Sequence, residues 1–233
     1  MNNKKVYVGI ASTPNREQGL LDTIECLAPQ VTRIYVWLNG YDGVPRTPHE
    51  NVTFVSSIDN IGDVGKIKIL EYIPKEDDFY LFLCDDDILY PVDYVSKNIE
   101  VYKEGSVQSS HGKIFPSFPI SSYNFGDVSG YYFGNVLKEN QRMHGVGTGV
   151  TMLHSSVARE VPYEDFSSQK NMLDTWLSAW CMANDVPMYS VPHPARWLVP
   201  NPKIDQSNSL WETEKDNRDR VLTAIYNHYV TGE

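Results

Sequence analysis

Through the first hundred residues, apolar positions come in short dense runs separated by polar turns. Val6–Ala11 predicts a buried strand, and Arg33–Leu38 and Val52–Val55 predict two more. Between the first two, Leu20, Leu21, Ile24 and Leu27 recur at helical spacing and predict a helix over Asn15–Ala28. Pro14 opens it where no amide hydrogen is needed. A helix is expected from about Gly65 to Tyr72, then an apolar strand over Phe79–Leu83. Another helix is expected over Pro91–Glu104, with Val92, Val95, Ile99 and Tyr102 inward. This order of strands and helices predicts an α/β domain with a largely parallel sheet. Ligands of such sheets bind beyond the carboxyl ends of the strands. Those ends carry Ser12-Thr13, Asn39-Gly40, Ser57-Ile58-Asp59 and Asp85-Asp86-Asp87.

Beyond residue 104 the pattern changes. Residues 105–150 are rich in Gly, Ser, Tyr and Phe with short strand-like pieces, ending in a glycine-rich turn that runs into a strand (GVGTGVTMLH). Asn171–Asn184 predicts a helix with Leu173, Trp176, Leu177 and Trp180 inward. Residues 186–209 hold five prolines and little periodicity, which predicts an ordered loop. A last helix is expected over about Trp211–Tyr229. No repeat or low-complexity linker separates the halves, so they are expected to share one body.

The apolar run FYLFLC ends in three consecutive carboxylates, Asp85, Asp86 and Asp87. Like charges at the end of a buried strand repel and lose hydration. A hard divalent cation, Mg²⁺ or Mn²⁺, relieves both costs. A net charge of −10 argues against a nucleic-acid partner. The three cysteines, Cys26, Cys84 and Cys181, lie far apart in apolar context, without zinc spacing, and read as buried free thiols of a reducing compartment. No run is long and apolar enough to span a membrane, and the first residues lack a signal peptide's pattern. The expected location is the cytoplasm, or the periphery of the inner membrane. No GxGxxG follows the first strand, and DNIGDVGK lacks the spacing of a P-loop.

A strand ending in Asp-x-Asp after two strand–loop–helix units resembles the nucleotide-sugar-dependent glycosyltransferases of the A-type (GT-A) fold, family-2-like members included. VGIASTPNRE is similar to their opening segment, DNIGDVGK (Asp59–Lys66) to their second nucleotide-contacting loop, and LDTW (Leu173–Trp176) to the segment that carries the catalytic base. The resemblance covers most of residues 5–200. It implies a single Rossmann-like GT-A domain with a mostly parallel central sheet, helices on both faces and a C-terminal acceptor-side subdomain. Residues 1–104 would be the nucleotide-sugar-binding half and 105–233 the acceptor-binding and catalytic-base half of one continuous body.

The implied reaction moves a sugar from a nucleoside diphosphate, UDP above all, to a hydroxyl of a glycan or lipid-linked acceptor, as in polysaccharide biosynthesis. Mn²⁺ or Mg²⁺ is the expected cofactor. By resemblance Asp87 is the direct metal ligand, with Asp85 beside it, and His193 completes the site. Asp85 and Asp86 face the ribose and donor sugar. Thr13, Arg16, Asn39, Asp59, Asn60, Asp63 and Lys66 form the rest of the donor site. Arg16 suits a phosphate or a base, and equally a solvated helix position. Asn39 is a base reader by resemblance, and equally a turn former in Asn-Gly. Lys66 is the strongest cation for the donor. Asp174 is the expected base of an inverting transfer, or a helix-terminus carboxylate. Glu164 and Asp165 are alternates to it, and His111 and His144 are weaker candidates near glycine-rich loops. A retaining transferase, a sugar-1-phosphate nucleotidyltransferase and a non-catalytic glycan-binding module on the same fold remain as alternatives. Against the nucleotidyltransferase, STPNRE has no glycine.

Overall fold

A computed structural model describes residues 4–168, 170–204 and 215–232. The first half runs β1 (Lys5–Ser12), α1 (Glu17–Leu27), β2 (Arg33–Asn39), β3 (Val52–Ser57), α2 (Gly65–Lys68), β4 (Phe79–Cys84), β5 (Ile88–Leu89) and α3 (Tyr94–Glu100). The second runs β6 (Val107–Ser109), β7 (Gly112–Ile114), β8 (Ser129–Tyr131), β9 (Arg142–Met143), β10 (Gly145–Val146), β11 (Val150–His154), α4 (Ser155–Ala158), α5 (Leu173–Ala183), β12 (Met188–Ser190), β13 (Val199–Pro200) and α6 (Lys215–Thr231).

Eight strands form the central sheet in the order β3-β2-β1-β4-β11-β6-β12-β9. β3, β2, β1 and β4 are parallel, β11 runs against both β4 and β6, β12 is parallel to β6, and β9 runs against β12. The sheet is therefore mostly parallel. Strand order reverses at β1, so the carboxyl ends of β1 and β4 flank a topological switch point, where α/β sheets bind ligands.

Side chains alternate between two buried faces, as the strand period requires. Val8, Ile10, Ile34, Val36, Leu38, Phe82 and Cys84 pack with Leu20, Ile24 and Leu27 of α1 and Tyr94 of α3. Tyr7, Tyr35, Phe79, Leu81 and Leu83 pack on the other face with Ile67 of α2 and Leu173 and Leu177 of α5. The α/β architecture with helices on both faces follows directly. The sheet crosses the 104/105 boundary, because β11 registers Val150 against Cys84 of β4. Among the described residues, no helix is long and apolar enough to cross a membrane.

Local differences have local causes. The helix expected from Pro91 begins only at Tyr94, since Pro91 starts a turn whose carbonyl accepts the Tyr94 N–H. Val92, expected inward, is 92% exposed there. Cys84 and Cys181 are buried, but Cys26 is only half-buried. The last helix is described from Lys215, and the expected start at 211–214 lies outside the described residues, as does 205–209 of the proline-rich loop.

Candidate active site

The site is built where β4 stops. Beyond Cys84 the backbone N–H of Asp85 is shared between the Gly149 carbonyl (3.3 Å) and the Tyr90 hydroxyl (2.9 Å). Tyr90, itself buried, donates its hydroxyl to the Gly149 carbonyl at 2.5 Å. This knot fixes the direction in which the three carboxylates leave the strand. Gly149 is needed for it, because a Cβ there would lie 1.9 Å from Asp85 Oδ2.

The three carboxylates part company. Asp85 forms an ion pair with Lys66, Asp87 forms one with Arg16, and Arg16 also lies 3.8 Å from Asp86. Asp86 is buried, and burial pushes its carboxyl up to about 7 against the opposing Ser12 hydroxyl, with Asp87 adding to the rise. The Asp87 carbonyl accepts from Asn201 N at 2.7 Å, next to the β5–β13 pairing, which ties the end of the cluster to the proline-rich segment.

Lys66 comes from α2, which lies so close to β1 that a Cβ on Gly9 would sit 1.9 Å from the Lys66 carbonyl oxygen. Its side chain is 7% exposed. Burial alone would lower the ammonium, but Asp85, Asp63 and Asp174 outweigh it and hold the Lys66 pKa above its usual value. Asp63 accepts the N–H of Leu173 at 3.0 Å, satisfying one of the orphan donors at the start of α5. The Asp59–Lys66 loop thus anchors the helix that carries Asp174.

Burial raises the Asp63 carboxyl to about 6, with Lys66 opposing. Asp63 therefore binds its proton more tightly folded than unfolded, and its contribution to stability falls as pH rises from the ordinary aspartate range through about 6. Asp63→Asn keeps an acceptor for Leu173 and removes the buried charge. Its stability relative to the parent is expected to climb by on the order of 2 kcal/mol between pH 4 and pH 7, a fraction of a shift worth ~1.4 kcal/mol per unit. Urea midpoints at the two pH values read this, and a pH-independent difference would refute it.

Thr13, Arg16, Asn39, Asn60, Asp63, Lys66, Asp85, Asp86 and Asp87 all line one cleft of about 370 Å³, together with Ser12 and Asn171. Asn39 reaches it with its amide already engaged: Nδ2 donates to the Gly62 carbonyl (3.1 Å) and Oδ1 accepts from Ile61 N (2.9 Å). These bonds hold the 60–62 loop and leave Asn39 one amide hydrogen and one carbonyl lone pair. Asp59 is exposed and does not line the cleft. His193 does not line it either. It is bridged to Leu137, stacked on Trp197 at 5.3 Å, and its Nδ1 lies 2.9 Å from the Pro194 carbonyl oxygen.

Asp85 also borders a chamber of about 130 Å³ with His111, Gly149 and Asp174. Asp174 and His111 in turn border a larger cavity of about 520 Å³. Asp174 is exposed in the first turn of α5, and its Oδ1 accepts both the Thr148 N–H (2.7 Å) and the Thr148 hydroxyl (2.5 Å). Both bonds fall on one oxygen, which leaves Oδ2 for another partner. Glu164 and Asp165 border none of these spaces. His144 is occupied elsewhere, its Nδ1 accepting from Phe115 N at 3.0 Å. Thr148 and Gly149 lie in the glycine-rich stretch Arg142–Gly149, which reads in the sequence as a donor-sugar or acceptor loop, whereas Tyr90 had no sequence signal, since its bond to Gly149 spans 59 residues.

Among the described residues, no three His, Cys, Asp or Glu side chains form a ready-made metal cage. The donor chemistry nevertheless fits a hard divalent ion. Asp63, Asp85, Asp86, Asp87 and Asp174 bring five carboxylates near two cations, Lys66 and Arg16, and the excess is negative. Mg²⁺-type sites commonly use one or two carboxylates and take their remaining ligands from phosphates and water.

No protein-family model matches the chain, and no curated protein matches it. Among solved structures, it is similar to a galactosyltransferase, LgtC, in complex with donor and acceptor sugar analogues (14% identity, 70% of this chain and 62% of that chain, TM-score 0.43). It is similar also to HddC from Yersinia pseudotuberculosis complexed with GMP-PN (18% identity, 67% and 79%, TM-score 0.39). A third is a UTP-bound UGPase from Acinetobacter baumannii (12% identity, 81% and 86%, TM-score 0.43). The match spans less than two thirds of the galactosyltransferase's length.

Proposed function

We propose that the protein is an inverting, metal-dependent glycosyltransferase of the GT-A type, acting on a nucleoside diphosphate sugar and a hydroxyl acceptor. One observation carries the reading: Asp85 is shared by the cleft and the chamber, and Asp174 by the chamber and the larger cavity. The first carboxylate of the strand-end cluster and a candidate base thus border one small space.

The nucleotide lies in the cleft, with its diphosphate toward Arg16 and Asp87 and its sugar toward Asp85 and Asp86. Asp87 and Asp85 would hold Mn²⁺ or Mg²⁺, which supplies Lewis-acid neutralisation of the leaving diphosphate. Arg16 offers that same leaving group a fixed guanidinium. Lys66 holds Asp85 from beneath. In the transfer, Asp174 takes the acceptor hydroxyl proton as the acceptor oxygen bonds to the anomeric carbon. The bond from that carbon to the diphosphate breaks, and its electron pair leaves with the nucleotide. The Thr148 bonds to Oδ1 aim the carboxylate and leave Oδ2 to take the proton.

A thermal-shift panel of nucleoside diphosphates and their sugars, with and without Mn²⁺, tests the reading. At a ligand concentration about a hundredfold above Kd, stabilisation of about 2.7 kcal/mol is expected, and only with metal present. Stabilisation by a nucleoside triphosphate with release of pyrophosphate would transfer the site to nucleotidyl transfer. Inversion at the anomeric carbon, read by NMR on the product, distinguishes this mechanism from a retaining one.

A further inference from the structure

We infer that the 520 Å³ cavity beyond Asp174 is a saccharide-end pocket that receives the terminal one or two rings of a carbohydrate acceptor, with one wall set by the C-terminal helix. The inference rests on the transferase reading above and names the acceptor class for it.

Tyr123 and Asn124 line the cavity, and α6 holds their segment, 120–124, by its backbone. Asp219, Thr223 and Asn227 recur every four residues along one face of α6. Asn227 makes two bonds with Ile120, accepting from its N–H and donating to its carbonyl, both at 2.8 Å. Thr223 accepts from Tyr123 N at 2.9 Å. Asp219, buried, accepts from Asn124 N and from the Ser122 hydroxyl, both at 2.8 Å. Four of these five contacts hold main chain, so the Tyr123 and Asn124 side chains enter the cavity from a rigid edge. Leu222, on the same helix, lines the cavity with Met172.

The lining selects the ligand. His111, Lys113, Asn124 and Asp174 put hydrogen-bonding groups on the cavity wall, and Tyr132 adds an aromatic ring that is 42% exposed. Burial lowers the His111 pKa, so its imidazole is neutral near pH 7 and offers one donor and one acceptor. A hydrocarbon tail here would strand the His111 imidazole and the second Asp174 oxygen, at a cost of about 1–3 kcal/mol each, while Lys113 and Asn124 keep the bond they make to each other. A sugar ring matches them with hydroxyls and lays its C–H face on the aromatic ring. The volume falls in the range of roughly 300–1,000 Å³ typical of small-molecule pockets, which suits a chain end.

The test uses the full chain and a panel of methyl glycosides and disaccharides, with binding read by saturation-transfer NMR. At least one disaccharide is expected to bind. Leu222→Trp, which fills the cavity from α6, is expected to weaken that binding by about tenfold or more. Tyr132→Ala, at an exposed position that folding tolerates, is expected to weaken it several-fold. Both variants should keep the parent's thermal shift with UDP and Mn²⁺. The inference is overturned if no saccharide binds, if binding survives both substitutions, or if farnesyl phosphate binds in place of sugars and is expelled by Leu222→Trp. Loss of the UDP shift in the parent itself would instead fail the donor reading.

Discussion

Asp174→Asn is expected to lower kcat by about 10²–10⁴-fold, the usual contribution of a positioned general base, while leaving the metal-dependent thermal shift with the donor nucleotide intact. The substitution isolates chemistry from structure. Asparagine presents a carbonyl oxygen where Oδ1 now accepts the N–H and hydroxyl of Thr148, so the first turn of α5 keeps its link to the 147–149 turn. The residue is exposed and follows Asp85 and Asp63 among the carboxylates that keep Lys66 charged, so folding depends little on its charge. What disappears is the carboxylate proposed to accept the proton. If kcat stays within a few-fold of the parent and the product anomer is retained, Asp174 is a positioning carboxylate and the inverting mechanism falls. If transfer falls but hydrolysis of the donor by water falls with it, the base acts on water and acceptor alike. That outcome fits a carboxylate placed at the border between chamber and cavity.

The parts of this arrangement visible in the sequence are those with local causes. β1, β2 and β4 are continuous apolar runs because both faces of a parallel strand are covered. The Asp85–Asp87 cluster stands out because charge follows such a run without a break. Asp63 and Lys66 are placed by a loop and helix short enough to read. Asn39 shows where local reading stops. Its Asn-Gly context reads as a turn former or a base reader, and its amide also bonds Ile61 and Gly62, which sequence spacing does not pair with it. His193 lies in a proline-rich stretch without periodicity, and its bridge to Leu137 carries it out of the cleft. In the second half, β6, β7, β8, β9 and β10 are two or three residues long, too short for an alternation to register. The larger cavity depends on α6 meeting residues 120–124, a contact about a hundred residues apart in sequence.

Lys66→Met should be the most damaging substitution for stability among the charged residues of the cleft. The side chain is 7% exposed and pairs with Asp85, whose own side chain is 38% exposed. Removing one partner of a fully buried pair costs about 3–5 kcal/mol. Partial solvation of Asp85 reduces this to about 2–4 kcal/mol, and at this chain length the melting temperature should drop by roughly 5–15 °C. Methionine preserves the stem's packing, so the loss comes from the charge. Its signature is a dependence on pH. Without the ammonium, Asp85 and Asp63, both already raised by burial, rise further and resist ionisation. The deficit is therefore expected to be larger at pH 8, where both must ionise, than at pH 5, where the folded protein can keep its protons. Lys66→Met combined with Asp85→Asn should recover at least half of the loss at pH 8, because the unpaired carboxylate is gone. A deficit equal at both pH values and unrelieved in the double variant would mean that the lysine stem, and not the ion pair, holds the cleft floor to β1.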